Sequence, residues 1–100
     1  MYARTTRFQL QPGALTEFMR IAHEVIAPQL QRQPGFRSIT LLVDKSNDTV
    51  LGITHWKTAA DIDAINASGL NQQLLAALGP LVAKTPIQEL FEVALQVEPI

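Results

Sequence analysis

The chain has 100 residues, of which 47% are hydrophobic and 17% charged, and its formal net charge is -1. This length predicts a single domain over residues 1–100, and the composition excludes a disordered tail. The charge balance predicts no nucleic-acid partner, because such partners require a basic surface. Without cysteine the chain forms no disulfide, which is typical of a cytoplasmic protein. No apolar segment reaches the about 20 residues that cross a bilayer, so no membrane partner is expected.

The first half of the chain predicts a strand, a helix and a hairpin. Apolar and polar residues alternate over residues 2–10, which indicates a strand. Apolar side chains recur at helical spacing over residues 14–32, where Pro28 is expected to kink or fray the last turn. Residues 36–43 and 49–57 are rich in β-branched residues and flank a polar turn, so they are predicted to pair as a hairpin.

The second half predicts further helices and a last strand. Thr58 is a plausible N-cap for a short helix over residues 61–67. Helical spacing continues from Leu70 until Gly79 and Pro80, and residues 87–97 alternate as a strand. The resulting β-α-β-β-α-β order indicates a ferredoxin-like α+β fold, with an antiparallel sheet and both helices on one face.

Pairing Val43 with Thr49 in the hairpin sorts its side chains onto two faces. One face is predicted to contact a second subunit, because the whole chain carries few charges; it comprises Ile39, Leu41, Leu51 and Ile53. The other face mixes large and small side chains and is predicted to line a ligand pocket, with Phe36, Ser38, Thr54 and Trp56 as its wall and Phe18 and Ala22 as its roof. The alternative is that the small residues only make room for helix side chains.

Two short motifs stand within this order of elements. Pro34-Gly35-Phe36 follows the first helix, and His55-Trp56-Lys57-Thr58 closes the third strand. With them the chain resembles the antibiotic biosynthesis monooxygenase family. The resemblance implies a dimeric α+β barrel, in which two subunits join sheet to sheet and each encloses a ligand pocket. It also implies oxygenation of polycyclic or quinol substrates without a cofactor or, in other members, haem degradation.

The resemblance carries over to few residues. Trp56 matches the tryptophan that members place at the end of this strand. Gly52 stands where some oxygenating members have asparagine, and Ile65 stands near a histidine of quinol-type members. Haem-degrading members use an Asn, Trp and His set, and the matching positions are Thr6, Ile65 and Leu75. These departures predict that the chain binds no haem, and the resemblance to the oxygenating members implies that it uses no cofactor.

Two side chains are candidates for catalysis. The indole N–H of Trp56 could donate to a substrate carbonyl, and His23 could accept a proton near neutral pH. Core packing for Trp56 and a solvated position for His23 are the alternatives. His55 is assigned to the subunit contact, and no set of side chains has the spacing of a metal site. Arg4 and Arg7 lie on opposite strand faces, where either could reach an anionic ligand or serve only as a surface charge.

Two functions are therefore expected for a homodimer of this chain. One is a cofactor-independent monooxygenase of a small aromatic, quinol or polyketide-like substrate, in which Trp56 donates a hydrogen bond and His23 takes the proton. The other is a non-catalytic protein that binds a small apolar or aromatic ligand on the same fold.

Overall fold

A computed structural model describes residues 1–100 and contains one antiparallel sheet packed against helices. The strands are β1 (Tyr2–Gln9), β2 (Phe36–Asp44), β3 (Thr49–Trp56) and β4 (Ile87–Glu92), in the spatial order β2-β3-β1-β4. The helices are α1 (Leu15–Ile21), α2 (Ala27–Gln31), α3 (Ala59–Ser68) and α4 (Leu70–Leu78). This is the predicted ferredoxin-like α+β fold, and both helical layers cover the same face of the sheet. None of the helices has the length and apolar character of a transmembrane segment.

The first helical region is continuous but not uniform. A π-helical turn, Ala22–Ile26, joins α1 to α2, and the Ala27 N–H donates to the Ala22 carbonyl five residues earlier. Pro28 then falls in the first turn of α2, where its missing N–H costs no helical bond. The wider turn accommodates the proline, so the helix continues to Gln31 instead of fraying at Pro28.

A reciprocal pair of hydrogen bonds begins α3. The Asp61 N–H donates to Thr58 Oγ1 at 3.2 Å, and the Thr58 N–H donates to Asp61 Oδ2 at 3.0 Å. This capping box confirms Thr58 as the N-cap. Gly35 packs directly against it: its φ is +79°, and a Cβ there would lie 2.0 Å from Asp61 Oδ2. Only glycine satisfies both conditions at this turn into β2.

The pairing of β2 with β3 differs from the predicted register. Phe36 lies opposite Trp56, as predicted, but Ile39 lies opposite Thr54. The register shifts between Phe36 and Ser38, so Arg37 is the extra residue of a β-bulge. Because side chains alternate along a strand, one extra residue exchanges the two faces for the rest of β2.

Because of the bulge, three side chains of β2 lie on the opposite face of the sheet from the one predicted. Ile39 and Leu41 turn towards the helices and line an internal cavity, so they do not lie on the outer face of the sheet. Ser38 is exposed on the outer face, where its Oγ lies 3.2 Å from Nδ1 of His55. Leu51 and Ile53 remain on the outer face as expected, because β3 itself contains no bulge.

The core lies between the sheet and the helices. Phe8 of β1 meets Phe18 of α1 edge to face, with ring centroids 5.0 Å apart. Phe36 and Trp56 form a similar pair at 5.3 Å. Val50 is fully buried at the centre of this layer. The Phe8–Phe18 pair thus connects one end of the sheet to α1, and the Phe36–Trp56 pair covers the other end of the sheet.

The last strand is shorter than predicted. It ends at Glu92, which pairs with Tyr2, and one further bond joins the Val93 N–H to the Met1 carbonyl at 2.9 Å. Because β4 is an edge strand and β1 begins at Tyr2, residues 94–100 have no strand to pair with. The alternation of apolar residues therefore continues beyond the sheet, with Leu95 and Val97 exposed.

Candidate functional site

A cavity of about 80 Å³ lies between the inner face of the sheet and the helices. Its walls are largely apolar and come from both layers. The apolar lining residues are Phe8, Phe18, Ala22, Ile26, Leu30, Ile39, Leu41, Trp56, Ile62, Ile65, Leu74, Leu75 and Leu78. Typical ligand pockets measure roughly 300–1,000 Å³, so the cavity volume in this state is smaller than a multi-ring ligand needs.

Strand β3 supplies the part of the wall with the smallest side chains. At Gly52 the Leu41 side chain packs against the backbone, since a Cβ there would lie 3.3 Å from Leu41 Cδ2. Trp56 lies at the end of the strand and is 2% exposed. Its indole N–H donates to Thr54 Oγ1 at 2.9 Å, so the hydrogen bond of the ring is made within the sheet. Trp56 therefore offers the cavity an apolar ring surface, and its donor is already in use.

A carboxamide pair closes one end of the cavity. The Gln88 Nε2 group of β4 donates to Asn71 Oδ1 at 3.1 Å, and Asn71 Nδ2 of α4 donates to Gln88 Oε1 at 3.0 Å. Gln88 Nε2 also donates to Thr6 Oγ1 on β1 at 3.1 Å. These three side chains give the apolar cavity one polar end and connect the sheet to α4 there.

Arg4 is the single ionisable side chain that lines the cavity. Its guanidinium donates to Asn66 Oδ1 of α3 at 2.8 Å. Partial burial lowers the pKa of Arg4 from its ordinary value, and the carboxylate of Asp63 acts against that shift. A cation at the border of an apolar cavity favours a negatively charged or strongly hydrogen-bonding ligand atom beside it.

A groove of about 350 Å³ lies on the outer side of these polar groups. Four residues line both the groove and the cavity, namely Arg4, Ile62, Asn71 and Gln88. The rest of the groove is mainly polar and consists of Asp63, Asn66, Gln72, Glu89 and Leu90. Cavity and groove are thus adjacent spaces, and the hydrogen-bonded side chains between them form the partition.

The structure brings together part of the predicted pocket. Phe18, Ala22, Thr54 and Trp56 all line the cavity. Phe36 does not belong to the lining and instead supports the Trp56 ring from the side.

Neither histidine reaches the cavity. His23 is exposed in the π-helical turn, which corrects its expected place as a proton acceptor in the pocket. His55 lies on the outer face of the sheet beside Ser38. No group of three or more His, Asp or Glu side chains is placed to hold a metal ion.

Sequence reasoning missed the polar end of the cavity. Arg4 and Thr6 share the strand face of buried Phe8, and this alternation was the available signal for β1. Asn71 stands one helical turn before Leu75, which lines the cavity, so helical spacing also places it there. Gln88 carries no comparable signal, because β4 is exposed on both sides for much of its length.

The fold and the cavity together define a ferredoxin-like α+β domain with an enclosed apolar space. The sequence matches the antibiotic biosynthesis monooxygenase family over residues 1–77. The chain therefore belongs to this family. A comparison with curated proteins finds no significant match.

Solved structures share this fold at low sequence identity. A monooxygenase from the gene ActVA-Orf6 of Streptomyces coelicolor, in complex with nanaomycin D, has a TM-score of 0.84 and 16% identity, over 99% of this chain and 92% of that one. The cofactor-independent oxygenase SnoaB from Streptomyces nogalater has a TM-score of 0.80 and 24% identity, over 98% and 97%. Rv0793 from Mycobacterium tuberculosis has a TM-score of 0.77 and 16% identity, over 97% and 98%.

Proposed function

We propose that the chain is a cofactor-independent monooxygenase of a small aromatic, quinol-type or polyketide-like substrate. The observation that carries this proposal is an apolar cavity between the sheet and the helices whose single ionisable lining group is the cation Arg4. Apolar walls suit a planar ring system, and Arg4 suits the oxygen of an ionised hydroxyl group. Membership of the antibiotic biosynthesis monooxygenase family and the fold of two oxygenases in the comparison support the same chemistry.

The reaction needs no redox group from the protein. A phenolate transfers one electron to dioxygen, and the two radicals combine into a C–O bond. The resulting peroxide anion takes one proton from water, and the hydroperoxide then loses water with the ring hydrogen to leave a carbonyl. Counting the proton that the phenol released on ionising, one phenol and one dioxygen give one quinone and one water. The protein contributes a water-poor cavity and a donor, Arg4, for the oxygen that carries the negative charge. Because no base lines the cavity, the substrate enters already ionised.

Trp56 contributes to this proposal as a wall of the cavity. Its ring is held by Phe36 and its N–H by Thr54, so its orientation is fixed before a ligand arrives. A rigid aromatic surface orients a planar substrate by stacking. In this arrangement Trp56 positions the ring system, and the charged oxygen lies near Arg4, which is opposite Thr54 on the neighbouring strand.

A second function has one specific observation in its favour. No side chain that lines the cavity accepts a proton near neutral pH, since Arg4 is the only ionisable one. A protein that binds a small apolar or aromatic molecule without converting it requires no such group.

Oxygen consumption with a panel of naphthols, quinols and anthrones separates the two functions. A monooxygenase is expected to consume dioxygen above the uncatalysed rate and to place one atom of isotopically labelled dioxygen in the quinone. An Ala22→Trp variant, which fills the cavity, is expected to lose this activity, whereas Arg7→Met on the outer face keeps it. Saturable binding of the panel without any labelled product identifies the binding protein instead.

The outer face of the sheet supports a homodimer. Leu42, Ile87 and Phe91 are large apolar residues that are each at least half exposed there, at 50%, 59% and 50%. Leu51 and Ile53 lie between them on β3. Thr5 and Arg7 of β1 lie between the apolar residues of β3 and those of β4, so this face is apolar only in part. We infer that two copies pack these faces together, since several exposed large apolar side chains on one face are typical of an interface that buries more than about 1,000 Å².

A further inference from the structure

Two hydrogen-bonded pairs of side chains lie between the cavity and the groove, beside the buried Ile62. Arg4 and Asn66 form one pair, and Asn71 and Gln88 form the other. Asn66 is exposed, so water can replace it as the partner of Arg4 at little cost. Separation of these pairs joins the cavity of about 80 Å³ to the groove of about 350 Å³. The combined space reaches the size of a typical ligand pocket, roughly 300–1,000 Å³.

We propose that Arg4 leaves Asn66 and binds the oxyanion of a singly ionised hydroxyaromatic ligand, which then extends from the cavity into the groove. This assignment of Arg4 as the specificity-determining residue rests on the proposed use of the cavity as a substrate site. It adds the exchange of partner by Arg4, the limit to one negative charge on the ligand and the direction from which the ligand enters.

The charges around Arg4 favour a ligand that carries a single anionic group. Arg4 is the only cation that lines either space. Asp63 and Glu89 line the groove beyond it, and their carboxylates repel a second negative group at that end. The remaining polar groups of the groove are carboxamides, which bind neutral hydroxyl and keto oxygens. The outer part of the ligand is therefore polar but uncharged.

A pair of probes that differ in one methyl group tests the charge preference. Lawsone is a hydroxynaphthoquinone whose hydroxyl ionises readily because the anion is a vinylogous carboxylate, and its methyl ether has the same rings but no acidic hydrogen. Trp56 is the only tryptophan and lines the cavity, so quenching of its fluorescence reports occupation. The wild-type chain is expected to bind lawsone about tenfold more tightly than the ether, which is the lower range for a hydrogen bond to a charged group.

Three variants assign the preference to Arg4. Arg4→Met is expected to abolish the preference while the affinity for the ether changes by less than about twofold. Asn66→Ala removes the competing partner on an exposed helix surface, so the affinity for lawsone is expected to rise. Arg7→Met is the matched control on the outer face of β1 and is expected to change neither affinity. Circular dichroism checks that each variant is folded.

The outcomes separate this proposal from the proposed oxygenase activity. A preference for lawsone that survives Arg4→Met, or equal affinities in the wild type, overturns the role of Arg4 even if the enzyme is active. Failure of both probes to quench Trp56 contradicts the ligand site itself. A preference that depends on Arg4 supports the proposal even when no substrate consumes dioxygen, and in that case the oxygenase activity alone is wrong.

Discussion

The two faces of β3 carry different kinds of residues, although neither is polar. Gly52, Thr54 and Trp56 point inward, where two small side chains beside a large ring leave a cavity. Leu51 and Ile53 point outward, where Leu42 is an exposed apolar neighbour on β2 and Thr5 and Arg7 are the neighbours on β1. The two faces of β3 are thus similarly hydrophobic but have different roles. One side encloses space within the subunit, and the other supports the proposed contact with a second copy.

The comparison shows that the mixture of sizes, and not the mean hydropathy, distinguishes a cavity wall from a flat packing surface. Side chains of uniform size fill the area opposite them, whereas a small side chain next to a large one, such as Thr54 beside Trp56, does not. The distinction is testable, because a substitution on the inner face acts on the folding of one subunit. A substitution on the outer face acts on association, and its effect depends on protein concentration.

The largest expected effect is that of Trp56→Ala on the inner face. The ring is 2% exposed, packs against Phe36 and bonds to Thr54, so its removal leaves a cavity and an unpaired partner. We expect the free energy of unfolding to fall by about 3–5 kcal/mol, independent of protein concentration. Urea denaturation at several concentrations measures this, and a loss below about 1 kcal/mol would show that the ring is not part of the core.

Ile53→Asp tests the outer face. The substitution places two carboxylates in the proposed symmetric contact, and we expect the dimer dissociation constant to rise by about 100-fold or more. Sedimentation velocity measures the change. Val25→Asp is the matched control, since Val25 is a comparably apolar residue that is 39% exposed on the helical side. A wild-type chain that sediments as a monomer at micromolar concentration contradicts the proposed dimer directly.

The bulge at Arg37 makes a sharper prediction within a single strand. Ile39→Asp places a charge among cavity-lining residues and is expected to lower the free energy of unfolding by about 2–3 kcal/mol. Leu42→Asp, three residues later, lies on the exposed face and is expected to weaken association while the monomer keeps its stability. The reverse order of effects would mean that β2 pairs with β3 without the bulge.

Gly52→Ala is the mildest test of the inner face. The added methyl group meets only the flexible end of Leu41, at 3.3 Å, so the stability change is expected to stay within about 1 kcal/mol. The same methyl group narrows the cavity, and the affinity for lawsone is expected to fall. Thermal denaturation and fluorescence titration of one preparation measure both effects. An unchanged affinity would place the ligand away from β3.

Local chemistry made much of the fold predictable from sequence. The order of elements follows from periodicity, and the N-cap at Thr58 follows from residues only three positions apart. The inner and outer faces of β2 were not predictable, because a bulge at Arg37 has no local marker and both faces are apolar. The end of β4 depends on where β1 begins, which is a long-range condition that alternation does not contain.

The candidate site was predictable where it consists of apolar side chains and not where it consists of polar ones. Trp56 and Phe18 are conspicuous in the sequence and lie in the cavity wall. Arg4 was one of two arginines on opposite faces of β1, and its place on the face of Phe8 was the one sequence signal that it borders the cavity. Asn71 and Gln88 stand 17 residues apart, and their hydrogen bonds arise from the packing of α4 on the sheet.

The π-helical turn between α1 and α2 also limits how such a chain can evolve. A π-helical turn contains one residue more than an α-helical turn, and insertion of a single residue into a helix produces such a turn. Deletion of one residue within Ala22–Ile26 would remove the wide turn and restore a regular α-helix, so the residues on both sides would keep their faces. Pro28 would then interrupt a helical bond that the wide turn spares. The wide turn and Pro28 therefore depend on each other, and such a deletion is expected to destabilise the helix without moving Leu30 out of the cavity wall.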